Sequence, residues 1–305
     1  MHWDDLRIFL AVARDESLSA AGRRLRIDPA TVGRRVGRLE QETGAALFVK
    51  SPQGYALTDA GQRLLDHAQQ AEQAVLAAQE GIAGQAGGLS GQIRIGAPDG
   101  VANFLLPQVC ARILDANPEL EIQIVALPRL FNLSRREADM AVTVSAPTAG
   151  RLLVQKITDY RLHLAASHDY MARHDPIAAL RDLKAHRMVG YIPDMIFDRE
   201  LDYLGELDAG PVPLASNSVL VQLHWLRQGA GVGIVHDFAL PSAPELRRIL
   251  TDQVALTRSF HLVRHADDAR LERMNRLATL LAEGLRQETA RLEAELDKMS
   301  QGSDA

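Results

Sequence analysis

One cysteine stands in 305 residues, and aromatic residues make up only 5% of the chain. A single thiol excludes an internal disulfide and any cysteine-built metal cluster, which suits a reducing compartment. Cys110 lies among Val109, Ala111 and Ile113 in a helical stretch, the setting of a core residue rather than a redox sensor. No apolar run is long enough to span a bilayer. The opening Met1-His2-Trp3-Asp4-Asp5 is acidic and has no apolar signal core, so a cytoplasmic location is expected. Enzyme signatures are missing as well: there is no His-Glu-x-x-His, no Gly-x-Ser-x-Gly and no Gly-Lys-Ser/Thr phosphate loop, and the ten histidines are scattered. Gly229, Gly231 and Gly233 follow a helical stretch and open a strand-like one, the reverse of a dinucleotide fingerprint. No catalytic set, cofactor or metal is expected.

What is present is concentrated at the N-terminus. Trp3, Leu6, Leu10 and Ala13 recur at helical spacing, and Ser17 and Ser19 precede a short helix with Ala21 and Leu25 on its inner side. Arg26-Ile27-Asp28 reads as a turn. Asp28 then stands as N-cap with Pro29 at the first helical position. Over residues 29–42, Val32, Val36 and Leu39 form one stripe, while Thr31, Arg34 and Arg38 fall on another arc flanked by Arg35. An apolar stripe fixes such a helix to its neighbours and leaves the Thr/Arg arc for the major groove of a DNA duplex. Arg23, Arg24 and Arg26 border that surface and suit phosphates. The net charge of −5 does not contradict this, because residues 1–65 hold ten Lys and Arg against eight Asp and Glu, with six arginines close together.

The segment resembles the DNA-binding domain of the LysR-type transcriptional regulators. The resemblance rests on Phe9, Ser17, Ala20, Ala21, Leu25, Pro29, Ala30, Arg34, Leu39, Glu40, Gly44, Leu47, Phe48, Leu57, Thr58 and Gly61. Gly33 departs where a serine is common in the family, and Lys50 where an arginine is. Together the motif and the resemblance nominate Arg23, Arg24, Asp28, Pro29, Ala30, Thr31, Arg34, Arg35, Arg38 and Lys50 for the DNA face.

Beyond this winged helix–turn–helix of residues 1–60, the chain divides into a linker helix with hinge (61–91) and an effector-binding domain (92–305). In the linker, Gly61, Leu64, Ala68, Ala71, Val75, Ala78 and Ile82 repeat with 3-4 spacing, a coiled-coil seam expected to make a homodimer. Glycines from Gly84 to Gly91 break it. Strands are then expected over 93–96, 121–127, 138–144, 232–235 and 260–264, with helices over 101–116 and 218–228, an α/β pattern. The family resemblance continues through Ile93-Arg94-Ile95-Gly96, Leu106-Pro107, Asn117-Pro118 and Arg136-Glu137-Ala138-Asp139. It implies a fold class of an all-α-dominated winged helix–turn–helix followed by two α/β subdomains like those of periplasmic binding proteins. Subdomain I would take about 92–160 and 265–305, subdomain II about 161–264, with crossover strands near 158–162 and 260–265. A long amphipathic helix over 273–299 is expected to pack on its own domain first and to fray or pair with a neighbour in its second half.

Small molecules bind beyond the carboxyl ends of strands in such sheets, beside helix N-termini. That places effector candidates at Asp99, Gly100 and Val101, at Leu127, Pro128 and Arg129, at Thr143 and Ser145, at Ser216, Asn217 and Ser218, and at His236. The family commonly has Ser or Thr where Asp99 stands. A carboxylate there repels an effector carboxylate by about 1–4 kcal/mol at 4 Å, so a cationic or neutral effector, none at all, or compensation by Arg129 is expected. The family resemblance further implies an inverted-repeat operator in double-stranded DNA, control by a small-molecule effector, and a dimer or tetramer. The competing reading is a solute-binding or protein-interaction module without a regulatory role.

Overall fold

Ser17 and Asp28 cap the helices that follow them: the Ser17 hydroxyl accepts from Ala20 N at 3.3 Å, and the Asp28 carboxylate from Ala30 N and Thr31 N at 2.7 and 3.3 Å. In the computed structural model, residues 1–51, 54–83, 88–126, 138–148, 150–205, 207 and 210–302 are described. They form two units, one centred on Met1–Gly87 together with Ala266–Asn275, the other on Gly88–Phe131, Ala138–His265 and Arg276–Ala305.

The first unit runs α1 (Trp3–Asp15), α2 (Leu18–Leu25), α3 (Pro29–Thr43), β1 (Phe48–Ser51), β2 (Gly54–Leu57) and α4 (Asp59–Ala83). Strands β1 and β2 pair antiparallel as the wing. Val32, Val36 and Leu39 of α3 are buried with Phe9, Leu10 and Val12 of α1, Ala21 of α2 and Leu47. The same core takes in Leu65 and Ala68 of α4. A Cβ on Gly61 would stand 2.1 Å from the Leu47 carbonyl oxygen, so only glycine lets α4 leave the wing at that angle. Arg14 of α1 and Glu72 of α4 add an ion pair. The expected seam is thus corrected in its first turns. Gly61 and Ala68 are spent on their own unit, Ala71 and Val75 are half-buried, and Ala78 is exposed.

The second unit runs β3 (Gly91–Ala97), α5 (Asp99–Phe104), α6 (Leu106–Ala116), β4 (Leu120–Ala126), β5 (Met140–Thr143), β6 (Leu152–Ser167), α7 (His168–Arg173), β7 (Met188–Gly190), β8 (Leu214–Ala215), α8 (Val219–Arg227), β9 (Val232–His236), β10 (Leu246–Arg248), β11 (Ala255–His265) and, from Arg276 onward, α9 (Glu272–Gly302). Its sheet has the order β4-β3-β5-β11-β6-β9-β7-β8, with β10 on β6. The flanks β4-β3-β5 and β9-β7-β8 are parallel, and β6 and β11 pair antiparallel between them. The two expected crossovers lie in β6 and β11, and both strands are longer than the sequence suggested.

Two expectations are corrected here. The helix expected over 101–116 is broken at Leu105 into α5 and α6. Pro107 has no N–H to offer the carbonyl four residues back, and its ring opposes continuation of the preceding turn. Nor does the end of α9 fray. Leu292 and Leu296 are buried, Arg161 donates to Glu293 and Asp297 at 2.9 and 3.1 Å, and Arg248 donates to Asp297 at 3.1 Å. The helix therefore docks on residues of both expected subdomains, since Arg112 of α6 also pairs with Glu288 at 3.0 Å.

Candidate functional site

On α3 the apolar stripe faces the core and leaves Ala30, Arg34, Arg38 and Gln41 exposed. At 100° per residue Gly37 lies beside Ala30 at the edge of that outward face, about 60° round the helix from Arg34. The structure separates the arginines by what holds them. Arg34 donates to Thr31 Oγ1 at 2.8 Å, a contact on the open face that a base edge can replace. Arg35 and Arg38 instead clamp Asp5 of α1, a carboxylate with 0% exposure: Arg35 Nη1 reaches Oδ1 at 3.2 Å and Arg38 Nε reaches Oδ2 at 3.0 Å. Burial works to raise the Asp5 pKa, but hydrogen bonds from Arg38 and Arg35, with their charges, outweigh it and hold the carboxyl below its ordinary value. Arg38 stays near half exposed, so it both anchors α3 and borders the groove face.

Arg23, Arg24 and Arg26 are exposed around α2, and Arg24 pairs with Asp15. Asp28 and Pro29 initiate α3 at the exposed surface, and Lys50 projects from the wing. Sequence reading gave Glu40 no role beyond the resemblance; its carboxylate accepts from Leu47 N at 2.7 Å and Phe48 N at 3.2 Å and so fixes the wing relative to α3. Thr58 acts at the other end of the wing, donating to Ala46 O at 2.7 Å and accepting from Gly61 N at 2.9 Å. The capped turn, exposed α3 face and wing define the class: a winged helix–turn–helix of the DNA-reading kind.

In the second unit, the candidates Asp99, Gly100, Ser216, Ser218 and His236 come together. Asp99 Oδ2 accepts from Ser218 Oγ at 2.9 Å and from Leu220 N at 3.1 Å, and Oδ1 accepts from Asn103 at 2.9 Å. Ser216 Oγ accepts from Ser218 N at 3.1 Å. Gly100 backs onto the imidazole of His236, which stacks on Tyr160 and lies 3.3 Å from the Tyr203 hydroxyl. Burial lowers the His236 pKa to about 4. Thr143 Oγ1 donates to Ser145 O at 2.6 Å, and the Ser145 hydroxyl bonds Asp198. Val101 is fully buried in the core, and Asn217 is half-buried. Leu127, Pro128 and Arg129 lie outside the described residues.

A cavity of about 460 Å³, for which the sequence carries no signal, lies beside these groups, with Tyr191, Phe197, Asp198, Tyr203, Gln222 and Ile234 among its walls. Burial, Tyr203 and the Asp99 charge all raise the Tyr191 pKa, so its phenol stays protonated. Among the described residues no His, Cys, Asp and Glu cluster could hold a metal, and no helix is long and apolar enough to cross a membrane.

Comparison with known proteins agrees with this geometry. The model for the bacterial regulatory helix–turn–helix protein, LysR family, matches residues 3–62, and that for the LysR substrate binding domain matches residues 86–286. The chain belongs to the LysR family of transcriptional regulators. It is 26% identical over 242 residues to the HTH-type transcriptional regulator DmlR of Escherichia coli K12, covering 76% of each chain. Among solved structures it resembles a full-length OxyR variant from Pseudomonas aeruginosa (TM-score 0.72, 18% identity, covering 94% of this chain and 98% of that one). It also resembles full-length LysG from Corynebacterium glutamicum with bound effector Arg (TM-score 0.62, 20% identity, 95% and 99% covered). The similar proteins are regulators rather than enzymes, and the helix–turn–helix match favours regulation over the solute-binding reading.

Proposed function

We propose that this regulator reads an inverted-repeat operator through α3 and answers to a small molecule held by its second unit. The observation that carries the DNA reading is the exposed face of α3, where Arg34 donates to the neighbouring Thr31 hydroxyl. In this reading Arg34 and Thr31 meet base edges. Arg23, Arg24 and Lys50 meet phosphates, with the start of α3 at Asp28, Pro29 and Ala30 brought against the DNA backbone. Arg35 and Arg38 hold the helix at its angle. The helical turn that separates half-sites requires two copies of the chain related by a dyad, and the outer part of α4 supplies the seam. A dimer of dimers built on that pair, working in the cytoplasm, completes the proposal. Residues 1–60, 61–91 and 92–305 then serve as reader, linker and effector domain.

Effector action requires unequal affinity for two arrangements of the oligomer. Asp99, Gly100, Thr143, Ser145, Ser216, Ser218 and His236 surround the place where an effector would act, and the carboxylates Asp99 and Asp198 suit a neutral or cationic one. Mapping of DNA fragments retained by the full-length chain tests the proposal. Recovered fragments should share a dyad-symmetric motif, and Arg34→Ala should lose the preference for it. Retention of no fragment above random DNA would sink the reading.

A further inference from the structure

The first N–H groups of a helix have no partner within it and draw an acceptor from elsewhere. At the start of α8 the Val221 amide is capped by Ser218 Oγ at 3.4 Å, whereas the Leu220 amide takes its acceptor from α5, in the other half of the α/β unit. Asp99 Oδ2 takes both the Ser218 hydroxyl and the Leu220 amide, and Oδ1 takes the Asn103 amide group. One carboxylate is thus held by a hydroxyl, a helix-terminal N–H and a side-chain amide, the donor set of an anion site. The halves also meet around it. A Cβ on Gly100 would stand 3.4 Å from His236 Cε1 and 3.5 Å from Val219 Cγ2, so the α5 backbone is seated directly on α8 and the end of β9. Ser145, after β5, bonds Asp198 of the opposite half, a second Ser–Asp bridge running in the reverse sense. The space bounded by Phe104, Val219 and His236 amounts to about 10 Å³, the lower limit for one water.

We infer that Asp99 is a resident ligand: its carboxylate fills the anion position at the start of α8 and holds the two halves together without an anionic effector. The inference rests on the effector role proposed above for this cleft and narrows it, because simple carboxylates are excluded from a position the chain already fills.

The test compares the full-length chain with Asp99→Ser in sodium acetate and in sodium chloride of equal ionic strength, acetate being the severed side-chain group. Two readouts are followed, the melting temperature and hydrogen exchange at the Leu220 amide. The unaltered protein should behave alike in both salts. Asp99→Ser should melt roughly 3–8 °C lower and exchange Leu220 at least tenfold faster, and acetate should restore both saturably. Ser218→Ala should also exchange faster, with no restoration. Should Asp99→Ser fail to fold, Asp99→Asn keeps the volume, and faster exchange at Leu220 that acetate leaves unchanged is expected. Unchanged Leu220 exchange in the Asp99 variants, an equal acetate response in the unaltered protein, or no rescue of folded Asp99→Ser overturns the inference. Operator retention by the same preparations reports separately on the DNA reading, so the two can fail independently.

Discussion

The Asp5 carboxylate accepts a hydrogen bond of 3.0 Å from Arg38 Nε across the interface of α1 and α3. The first helix therefore sets the attitude of the recognition helix through a charge pair, not through apolar packing alone. Replacing Asp5 by Asn should cost about 1–3 kcal/mol of stability. It should also narrow the ratio of operator to random-DNA affinity, since α3 is less fixed and one negative charge is gone. The sign with pH follows from the lowered Asp5 pKa. The contribution is present above the unfolded value near pH 4 and is lost as pH falls through the still lower folded value. Melting curves of the two proteins should accordingly converge in strong acid and diverge above about pH 4.

Arg34 and Arg24 should fail differently. Loss of Arg34 should remove roughly 1–3 kcal/mol of discrimination at one base position. Arg24→Ala should weaken specific and random DNA alike and flatten the salt dependence by about one unit of slope. Arg24 pairs with Asp15 in the absence of DNA, so phosphate contact requires that pair to be exchanged. Equal losses on both DNAs for both variants would refute the division of roles.

Gly37 has nothing within 4 Å of an added Cβ. Glycine there weakens the helix by about 1 kcal/mol with no gain within the chain. Gly37→Gln should raise the melting temperature and yet lower operator affinity at least tenfold, because the new side chain obstructs only a duplex. Retained affinity would show that α3 enters the groove by a different face.

His236 carries a pH signature for the second unit. Burial lowers its pKa to about 4, so the neutral ring belongs to the folded state and the unfolded ring takes a proton first. Its stabilisation is present above the unfolded pKa near 6.5 and is lost as pH falls from there towards 4, at a slope of up to roughly 1.4 kcal/mol per pH unit. His186 and His261 are also lowered by burial and act with the same sign. The informative quantity is therefore the slope that disappears in His236→Phe; an unchanged slope would place the titration elsewhere.

Cys110 should resist thiol reagents at pH 8 in the folded protein, since burial pushes its pKa up to about 11. Labelling should track unfolding, and rapid labelling of native protein would contradict the buried placement.

Local chemistry made the first unit readable. Asp28-Pro29 announces a helix start, and Val32, Val36 and Leu39 announce its inner side, because both signals lie within a few residues of what they specify. Glu40 was legible only as part of a resemblance. Its partners, Leu47 N and Phe48 N, are backbone groups brought to it by a turn that side-chain periodicity does not register. The second unit was read as strands and helices in order. The pairing of Asp99 with Ser218, 119 residues away, depends on how the sheet closes. Docking of the second half of α9 was missed for a related reason: an amphipathic stripe shows that a helix packs, whereas Arg161 and Arg248 show where.

The pairing of β6 with β11 runs from His163 opposite Ala255 to Leu152 opposite His265, with one irregularity between Phe260 and His261. Two strands bonded over that length cannot slide without breaking every rung. A turn of one half of the unit against the other would have to twist this ribbon. The register step between Phe260 and His261 is where this ribbon accommodates a local increase in twist.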